Sequence, residues 1–256
     1  MKKIMKYQLR DMLIGYAVYA AVMILLTAVT ISVSVINSNI NLSVNGNGFS
    51  SVIFCFAGAI AMYKEQCQLA IQNSISRKDF FRSSFYVITI LCLLCAFIDL
   101  VLRGISLGAA LFSAETVNFD LSSFIFLFYP DFLERSSAAT VTIAGFFISF
   151  LTCMLFAVLG FLIAGIYCRI PKKFRTFYCI ALPVLFCGLT PAVSAIVLFS
   201  PGPLHNVMEP LVNLILSLDL MGTASGSPFR GMLTFTVLSL FMGWICYRIL
   251  KKTEIA

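Results

Sequence analysis

The chain alternates between long apolar runs and short polar segments, at a spacing typical of helices that cross a membrane. A bilayer has a hydrocarbon core of about 30 Å, which a helix of about 20 apolar residues spans. The apolar runs lie at about 12–36, 49–72, 85–102, 140–167, 177–199 and 232–250. The pattern therefore predicts an all-α integral membrane protein, with six transmembrane helices in a single domain of residues 1–256.

The second run is the least regular of the six. It is apolar only over residues 49–63, which span about 22 Å in a helix. We therefore expect this helix to continue past Lys64 as far as residue 72, with the lysine ammonium group reaching the headgroups.

Three further segments are expected to be helical or to lie at the membrane surface. Residues 1–10 are basic and amphipathic, which predicts an N-terminal interfacial helix. The aromatic run 124–129 is too short to span, and we expect it to lie in the outer interface or to re-enter the membrane. Within the weakly apolar segment 204–231, the stretch between Pro210 and Gly222 predicts a re-entrant or interfacial helix before the sixth span.

Composition supports a membrane protein. Hydrophobic residues make up 60% of the chain, charged residues make up 11%, and the mean hydropathy is +0.98. Soluble domains have about 45–50% apolar and about 25% charged residues. In the fourth predicted span, Gly145, Gly160 and Gly165 offer places for close helix approach.

The basic residues assign sides to the predicted loops. Of the 18 Lys and Arg residues, 15 lie in segments that the predicted topology places on one side of the membrane. Only Arg103, Arg135 and Arg230 lie in segments on the other side. Basic residues favour the cytoplasmic side, so a multi-pass protein of the cell (plasma) membrane is expected, with both termini in the cytoplasm. The net charge of +7 follows from this topology. Nucleic-acid binding is not expected, because the basic residues flank apolar runs and form no basic face.

Residues that could carry chemistry are few. The sequence has no GxxxxGK[ST] phosphate loop, no HExxH pair and no His–Cys ligand set, so we expect neither an enzyme nor a metal or cofactor in this chain. Cys92 and Cys95 have CxxC spacing, yet their place within a span predicts core packing and no disulfide. For Asp99, the simplest interpretation is a residue near the outer boundary that pairs with Arg103 at i,i+4. A functional acid within the membrane is the alternative.

The polar stretch 63–84 is longer than a connection between two spans requires. It combines polar residues of helical character, a serine that could cap a helix, and the aromatic pair Phe80 and Phe81. We therefore predict a cytoplasmic surface on this stretch that contacts a partner.

Within that stretch, Asn73-Ser74-Ile75-Ser76-Arg77-Lys78-Asp79-Phe80-Phe81 resembles the Gly-x-Ser-Arg-Lys-x-aromatic coupling element of type-2 ABC exporter permeases. Asn73 stands near the place where the family commonly has Gly. In architecture the resemblance covers the whole chain. In size and build, the chain is most similar to small six-span permeases of Gram-positive bacteria that export amphipathic toxin peptides such as phenol-soluble modulins, or that confer immunity to antimicrobial peptides.

This resemblance implies a permease subunit that carries amphipathic or hydrophobic cargo, in a homodimer or heterodimer with a second permease copy. ATP and Mg would bind to separate ABC ATPase subunits, and a cytoplasmic coupling helix between spans two and three would dock into a groove on each ATPase. The coupling residues implied are Asn73, Ser74, Ser76, Arg77, Lys78, Asp79, Phe80 and Phe81. In this interpretation Phe80 and Phe81 insert into the groove as apolar anchors.

Two alternatives remain open. Arg77, Lys78 and Arg82 could act only as topology anchors on the cytoplasmic side, without any docking role. The whole chain could also be a stand-alone six-span secondary transporter or a membrane scaffold protein, for which no ATPase partner is needed.

The topology makes a prediction of its own. A cysteine introduced within residues 37–48 should react with a membrane-impermeant thiol reagent added to intact cells, because this Asn- and Ser-rich segment without Lys or Arg is predicted to be external. A Lys173→Cys variant should stay unlabelled. Each variant is compared with the parent chain by gel after labelling, and labelling at position 173 in intact cells would overturn the six-span arrangement.

Overall fold

A computed structural model gives the fold of residues 2–36, 47–73, 75–112, 125, 129–171, 174 and 227–251. These residues form six helices and no strand. The helices are α1 (Lys2–Ile36), α2 (Asn47–Gln72), α3 (Arg77–Phe112), α4 (Pro130–Arg135), α5 (Ala138–Arg169) and α6 (Pro228–Lys251). Four of them, α1, α3, α5 and α6, are long and apolar enough to cross a membrane. The predicted class, an all-helical membrane protein, is confirmed at this level.

The helix of the second predicted span has the expected length. Only Gly48–Tyr63 is apolar, yet α2 runs without a break for 26 residues to Gln72, a length of about 39 Å. The expectation that the helix continues past Lys64 is therefore confirmed. The predicted span 177–199, the stretch between Pro210 and Gly222 and most of the aromatic run 124–129 lie outside the described residues, so the six-span count stays a prediction.

The expected N-terminal interfacial helix is not a separate element in the structure. Residues 2–10 form the first turns of α1, which continues straight into the first apolar run. The sequence has no Gly or Pro to break the helix before Gly15, and the buried Gln8 amide donates to Ser84 Oγ at 3.2 Å. This hydrogen bond holds the first turns of α1 against α3.

The coupling helix expected between spans two and three does not form an element of its own either. In the described structure α2 ends at Gln72 and α3 begins at Arg77, so the connection comprises only residues 73–76. The polar stretch 63–84 is divided between the ends of two long helices. These residues extend the helices because they include no Pro or Gly that would stop them.

The helix α5 lies at the centre of the bundle. It packs against α2, α3 and α6, while α1 packs on α2 and α3. In the apolar window of α5, 56% of the residues are buried, against 11% in that of α1. Large apolar side chains therefore remain exposed on α1 and α6, among them Val18, Leu25, Leu240 and Trp244. Such faces are stable against lipid, which does not penalise them as water does.

The helices α2 and α5 approach each other closely at Gly160 of α5. A Cβ atom at this position would lie 2.6 Å from the carbonyl oxygen of Phe56 in α2, so only a residue without a side chain fits. A Cβ at Gly165 would meet the Tyr63 ring at an ordinary 3.6 Å. The expected close approach is confirmed at Gly160.

We therefore expect Gly160→Ala to force α2 and α5 apart and to lower the free energy of unfolding by about 1–3 kcal/mol. Gly15→Ala is the matched control, because a Cβ there meets nothing within 4 Å and alanine is the better helix former. Thermal unfolding of both variants in the same detergent measures the difference. Equal melting temperatures would contradict this account of the α2–α5 contact.

Candidate functional site

The connection between α2 and α3, called the α2–α3 turn (residues 73–76) from here on, is closed by hydrogen bonds on both sides. At the end of α2, the Asn73 backbone N–H and side-chain amide both donate to the Leu69 carbonyl, at 3.1 and 2.8 Å. The Ile75 N–H donates to the Ala70 carbonyl at 3.0 Å. These bonds satisfy carbonyl groups that a helix end leaves open.

The start of α3 is capped by Ser76. Its hydroxyl oxygen accepts from the Asp79 backbone N–H at 3.2 Å, and the hydroxyl donates to the Asp79 carboxylate at 2.8 Å. A serine followed three residues later by an acid forms the helix-capping arrangement expected of such a sequence. Its place before Arg77 explains why α3 begins there and why the turn has a defined shape.

The predicted coupling residues divide into exposed and buried groups. Asn73, Ser76 and Lys78 are exposed, as is Arg82, and Asp79 is half-buried. Phe80 is 2% exposed and Phe81 is half-buried. Ser74 and the side chain of Arg77 lie outside the described part. The turn thus presents polar and basic groups outward and aromatic groups inward.

The inward aromatic groups form one cluster, comprising Tyr63, Phe80, Phe81, Phe161 and Tyr247. Phe80 lies 6.2 Å from Tyr63 and 6.5 Å from Phe161, between ring centroids. Phe81 lies 6.2 Å from Phe161 and 5.5 Å from Tyr247. The aromatic cluster joins α2, α3, α5 and α6, and ring pairs at such distances add about 0.5–1.5 kcal/mol each beyond burial.

This cluster corrects the role expected for the two phenylalanines. In the described arrangement Phe80 is buried inside the chain's own bundle and cannot insert into a groove of another protein. Phe81 packs mainly against aromatic rings of the same chain. Local sequence could not indicate this packing, because Phe161 and Tyr247 lie far from Phe80 and Phe81 along the chain. A contact made by this turn must involve its polar and basic residues.

Exposed basic side chains collect at the end of the bundle that carries the turn. The hydrogen bond from Gln8 to Ser84 places the start of α1 beside the start of α3, and the contact of Phe81 with Tyr247 places the end of α6 there. The exposed basic residues of these helix ends are Lys6, Arg10, Lys78, Arg82 and Arg248. The Arg248 guanidinium also lies 4.8 Å from the Trp244 ring centroid. All five residues belong to segments that the predicted topology places on the cytoplasmic side.

An apolar cleft lies between α4, α5 and α6, at the ends of α5 and α6 away from the α2–α3 turn. Its volume is about 520 Å³, within the range of about 300–1,000 Å³ common for ligand pockets. It is lined by Phe132, Ser136, Thr140, Ile143, Ala144, Phe147, Phe229 and Met232. Two hydroxyl groups among apolar and aromatic side chains suit an amphipathic ligand.

Asp99 does not make the hydrogen bond expected of it. Its Oδ1 accepts from Ser51 Oγ of α2 at 2.7 Å, and Ser51 Oγ lies 2.8 Å from the Tyr19 hydroxyl of α1. Its Oδ2 is buried without a hydrogen-bond partner. The expected i,i+4 pair with Arg103 is therefore replaced by a contact across helices. Spacing along α3 could not reveal it, because Ser51 and Tyr19 belong to other helices.

The described cysteines are free thiols in the bundle. Cys92 and Cys95 are fully buried, which confirms the prediction of core packing. Cys55 of α2 and Cys153 of α5 are also fully buried, in the same apolar cluster as Cys92 and Cys95, a meeting of three helices that CxxC spacing alone could not indicate. Among the residues whose placement is given, no group of His, Cys, Asp or Glu is arranged to hold a metal ion.

Known proteins provide no further guide to the site. No family model, no curated protein and no solved structure matches the chain.

Proposed function

We propose that the chain is the membrane-spanning permease subunit of an ATP-driven ABC exporter for amphipathic or hydrophobic cargo, such as toxin or antimicrobial peptides. A separate subunit hydrolyses ATP, and the α2–α3 turn receives its motion. The observation that carries this proposal is the build of the turn, whose tip is polar and exposed while its base is fixed in the aromatic cluster.

Such a build suits the transmission of force. The last nine residues of α2 continue past its apolar part, over about 13 Å. The Ser76 cap and the bonds to Leu69 and Ala70 hold the turn in one shape. Because Phe80 packs on Tyr63 and Phe161, a displacement of the turn would move α2, α3 and α5 together.

The partner would be recognised by charge. The exposed groups are Lys78 and Arg82, together with the amide of Asn73 and the hydroxyl of Ser76, which favours a partner groove lined by acidic and polar residues. The sequence has no phosphate loop of its own, so ATP and Mg belong to that partner. The exposed apolar faces of α1 and α6 provide surface for lipid and for a second permease copy.

The apolar cleft supports the proposed cargo class. Its lining is largely aromatic and aliphatic, with the hydroxyls of Ser136 and Thr140 as its polar groups. A sugar or a free ion would leave its polar groups without partners there. An amphipathic helix could instead place its apolar face in the cleft and keep its polar face outside.

One observation favours the alternative of a stand-alone secondary transporter. Asp99 is a half-buried acid with a buried Oδ2 atom, within the apolar window Lys78–Ile105, and ion-coupled transporters use such residues. The presence of an ATPase partner distinguishes the two functions.

The first test concerns the partner. We expect a tagged chain, purified in detergent from its native membrane, to carry ATPase activity, and the double variant Lys78→Gln with Arg82→Gln to lose most of it. Salt should weaken the association, because the contact is charged. Lys6→Gln with Arg10→Gln removes two exposed charges at the same end of the bundle and is the matched control, with activity retained. Mass spectrometry should find a subunit that contains a phosphate loop.

Equal retention of ATPase activity by both double variants, after equal membrane insertion is shown, would contradict docking at the turn. Equal loss in both would indicate that the charges serve topology alone. A chain that purifies without any ATPase would favour the stand-alone function.

The second test concerns the cleft. Phe147→Ala should weaken binding of a synthetic amphipathic helical peptide about tenfold, on the order of 1–2 kcal/mol, because it removes an aromatic contact surface. Phe156→Ala is the matched control, since Phe156 lies on the same helix, is 38% exposed against 49% for Phe147, and is not part of the cleft lining. Fluorescence titration of the purified protein measures both. Equal affinities would exclude the cleft as the peptide site.

A further inference from the structure

The polar chain that ends at Asp99 joins three helices. Ser51 Oγ donates to Asp99 Oδ1 at 2.7 Å. A serine hydroxyl has one hydrogen, so the Tyr19 hydroxyl, 2.8 Å from Ser51 Oγ, must be the donor to Ser51. The Ser50 hydroxyl also lies 3.2 Å from the Tyr19 oxygen, and it donates to Met23 Sδ of α1 at 3.6 Å. The hydrogen bonds thus run from Tyr19 of α1 through Ser51 of α2 and end at Asp99 of α3.

The other oxygen of Asp99 is left incomplete. Its Oδ2 is buried and hydrogen-bonds to none of the residues that the structure describes, within the apolar window Lys78–Ile105 of α3. A carboxylate in such surroundings, held by one hydrogen bond, is costly to keep charged. A proton on Oδ2 would remove the charge and turn this oxygen into a donor.

A small cavity beside Asp99 provides a place for that donor to bond. Its volume is about 20 Å³, enough for one water molecule. Its lining includes Asp99 and Arg103 of α3 and Thr142 and Ser149 of α5. A water molecule there could accept from Oδ2 and carry a proton to or from it.

We propose that Asp99 is a proton-binding site, at which a proton binds and leaves Oδ2 through the cavity shared with α5. The charged carboxylate accepts strongly from Ser51, and the neutral acid accepts less strongly. Binding of a proton therefore loosens the hydrogen-bond chain that holds α1 and α2 to α3. This inference does not depend on the ATPase partner.

Other titratable groups surround this site. Arg103 lines the same cavity, and its positive charge favours the charged carboxylate. The remaining groups that interact with Asp99 are Tyr16 and Tyr19 of α1, Cys55 of α2, Cys95 of α3 and Cys153 of α5. The tyrosines and thiols are neutral in their ordinary forms near pH 7, so the hydrogen bond from Ser51 is the contact that most directly favours the charged carboxylate.

A hydrophobic carbodiimide tests the proposal without knowledge of any cargo. It reacts with a protonated carboxyl in an apolar site: the carboxyl oxygen bonds to the central carbon, the acid proton moves to one nitrogen, and rearrangement gives a stable N-acylurea. We expect the full chain in lipid vesicles to gain this adduct at Asp99, seen by mass spectrometry of the digested protein. The rate should fall about tenfold for each pH unit on the alkaline side, as for a single titrating group.

The Asp99→Asn variant should lose the adduct while its Oδ1 can still accept from Ser51. A water-soluble carbodiimide with an added amine should label the exposed Asp11 and Asp131 in preference to Asp99. An unlabelled Asp99 at every pH would overturn the proposal, as would a rate independent of pH. The first result would mean that the carboxylate stays charged at every pH, and the second that the acid stays protonated.

A second variant separates proton binding from a merely structural role. Ser51→Ala removes the donor that stabilises the charged form, so the pH of half-maximal labelling should rise, and Tyr19→Phe should shift it in the same direction by less. Ser239→Ala is the control, because this buried serine of α6 bonds only to the Thr236 carbonyl of its own helix. An unchanged labelling midpoint in Ser51→Ala would contradict the assigned hydrogen-bond chain even if Asp99 labels.

Discussion

The contact of α2 with α5 at Gly160 is the constraint on which the rest of the bundle depends. The missing side chain lets the Phe56 carbonyl approach closely, and the two helices stay in register toward the basic end. There Tyr63 lies over Gly165 and against the Phe161 ring, at 4.8 Å between centroids. That pair forms the surface on which Phe80 packs. The position of the α2–α3 turn follows from a helix contact deep in the bundle.

Two kinds of contact hold the described helices together. The central helix α5 is joined to α2, α3 and α6 by close apolar packing and by buried thiols, since membrane helices associate largely through close packing and have little hydrophobic driving force. The helix α1 also packs on α2 and α3 through apolar side chains, and in addition it is joined to them by hydrogen bonds at Gln8, Tyr16 and Tyr19. Such bonds contribute about 0.6 kcal/mol each on average within membranes. The attachment of α1 is therefore the joint that a change of charge at Asp99 would affect most.

The turn and the acid lie at different depths of the same helix. Both depend on α3, which begins at the Ser76 cap and carries Asp99 farther along its apolar window. Motion at the α2–α3 turn could be transmitted along α3 to its contact with α1 and α2 at Asp99, because side chains of this one helix make the contacts at both places. In the proposed exporter, the aromatic cluster would be the part of α3 that stays fixed to the α5 core.

The sequence by itself determined the class of the protein and the continuation of α2 past Lys64. It also determined the approximate position of the four helices that are long and apolar enough to cross a membrane. These features depend on local quantities: runs of apolar residues, their length against the bilayer, and the lack of helix breakers. It also indicated the cap at the start of α3 and the close approach at Gly160. Each of these needs only neighbouring residues or a single small residue in a span.

Only the tertiary structure decided what the singled-out side chains contact. From the sequence, Phe80 is predicted to be an anchor for a partner, but in the fold it packs against Tyr63 and Phe161. Asp99 is likewise predicted to pair with Arg103, but it accepts a hydrogen bond from Ser51. The residues that decide these roles lie on other helices, at separations along the chain that no periodicity encodes. In a bundle whose helices are apolar on nearly every side, hydrophobic pattern does not specify which faces meet, so packing shape and a few polar contacts make that choice.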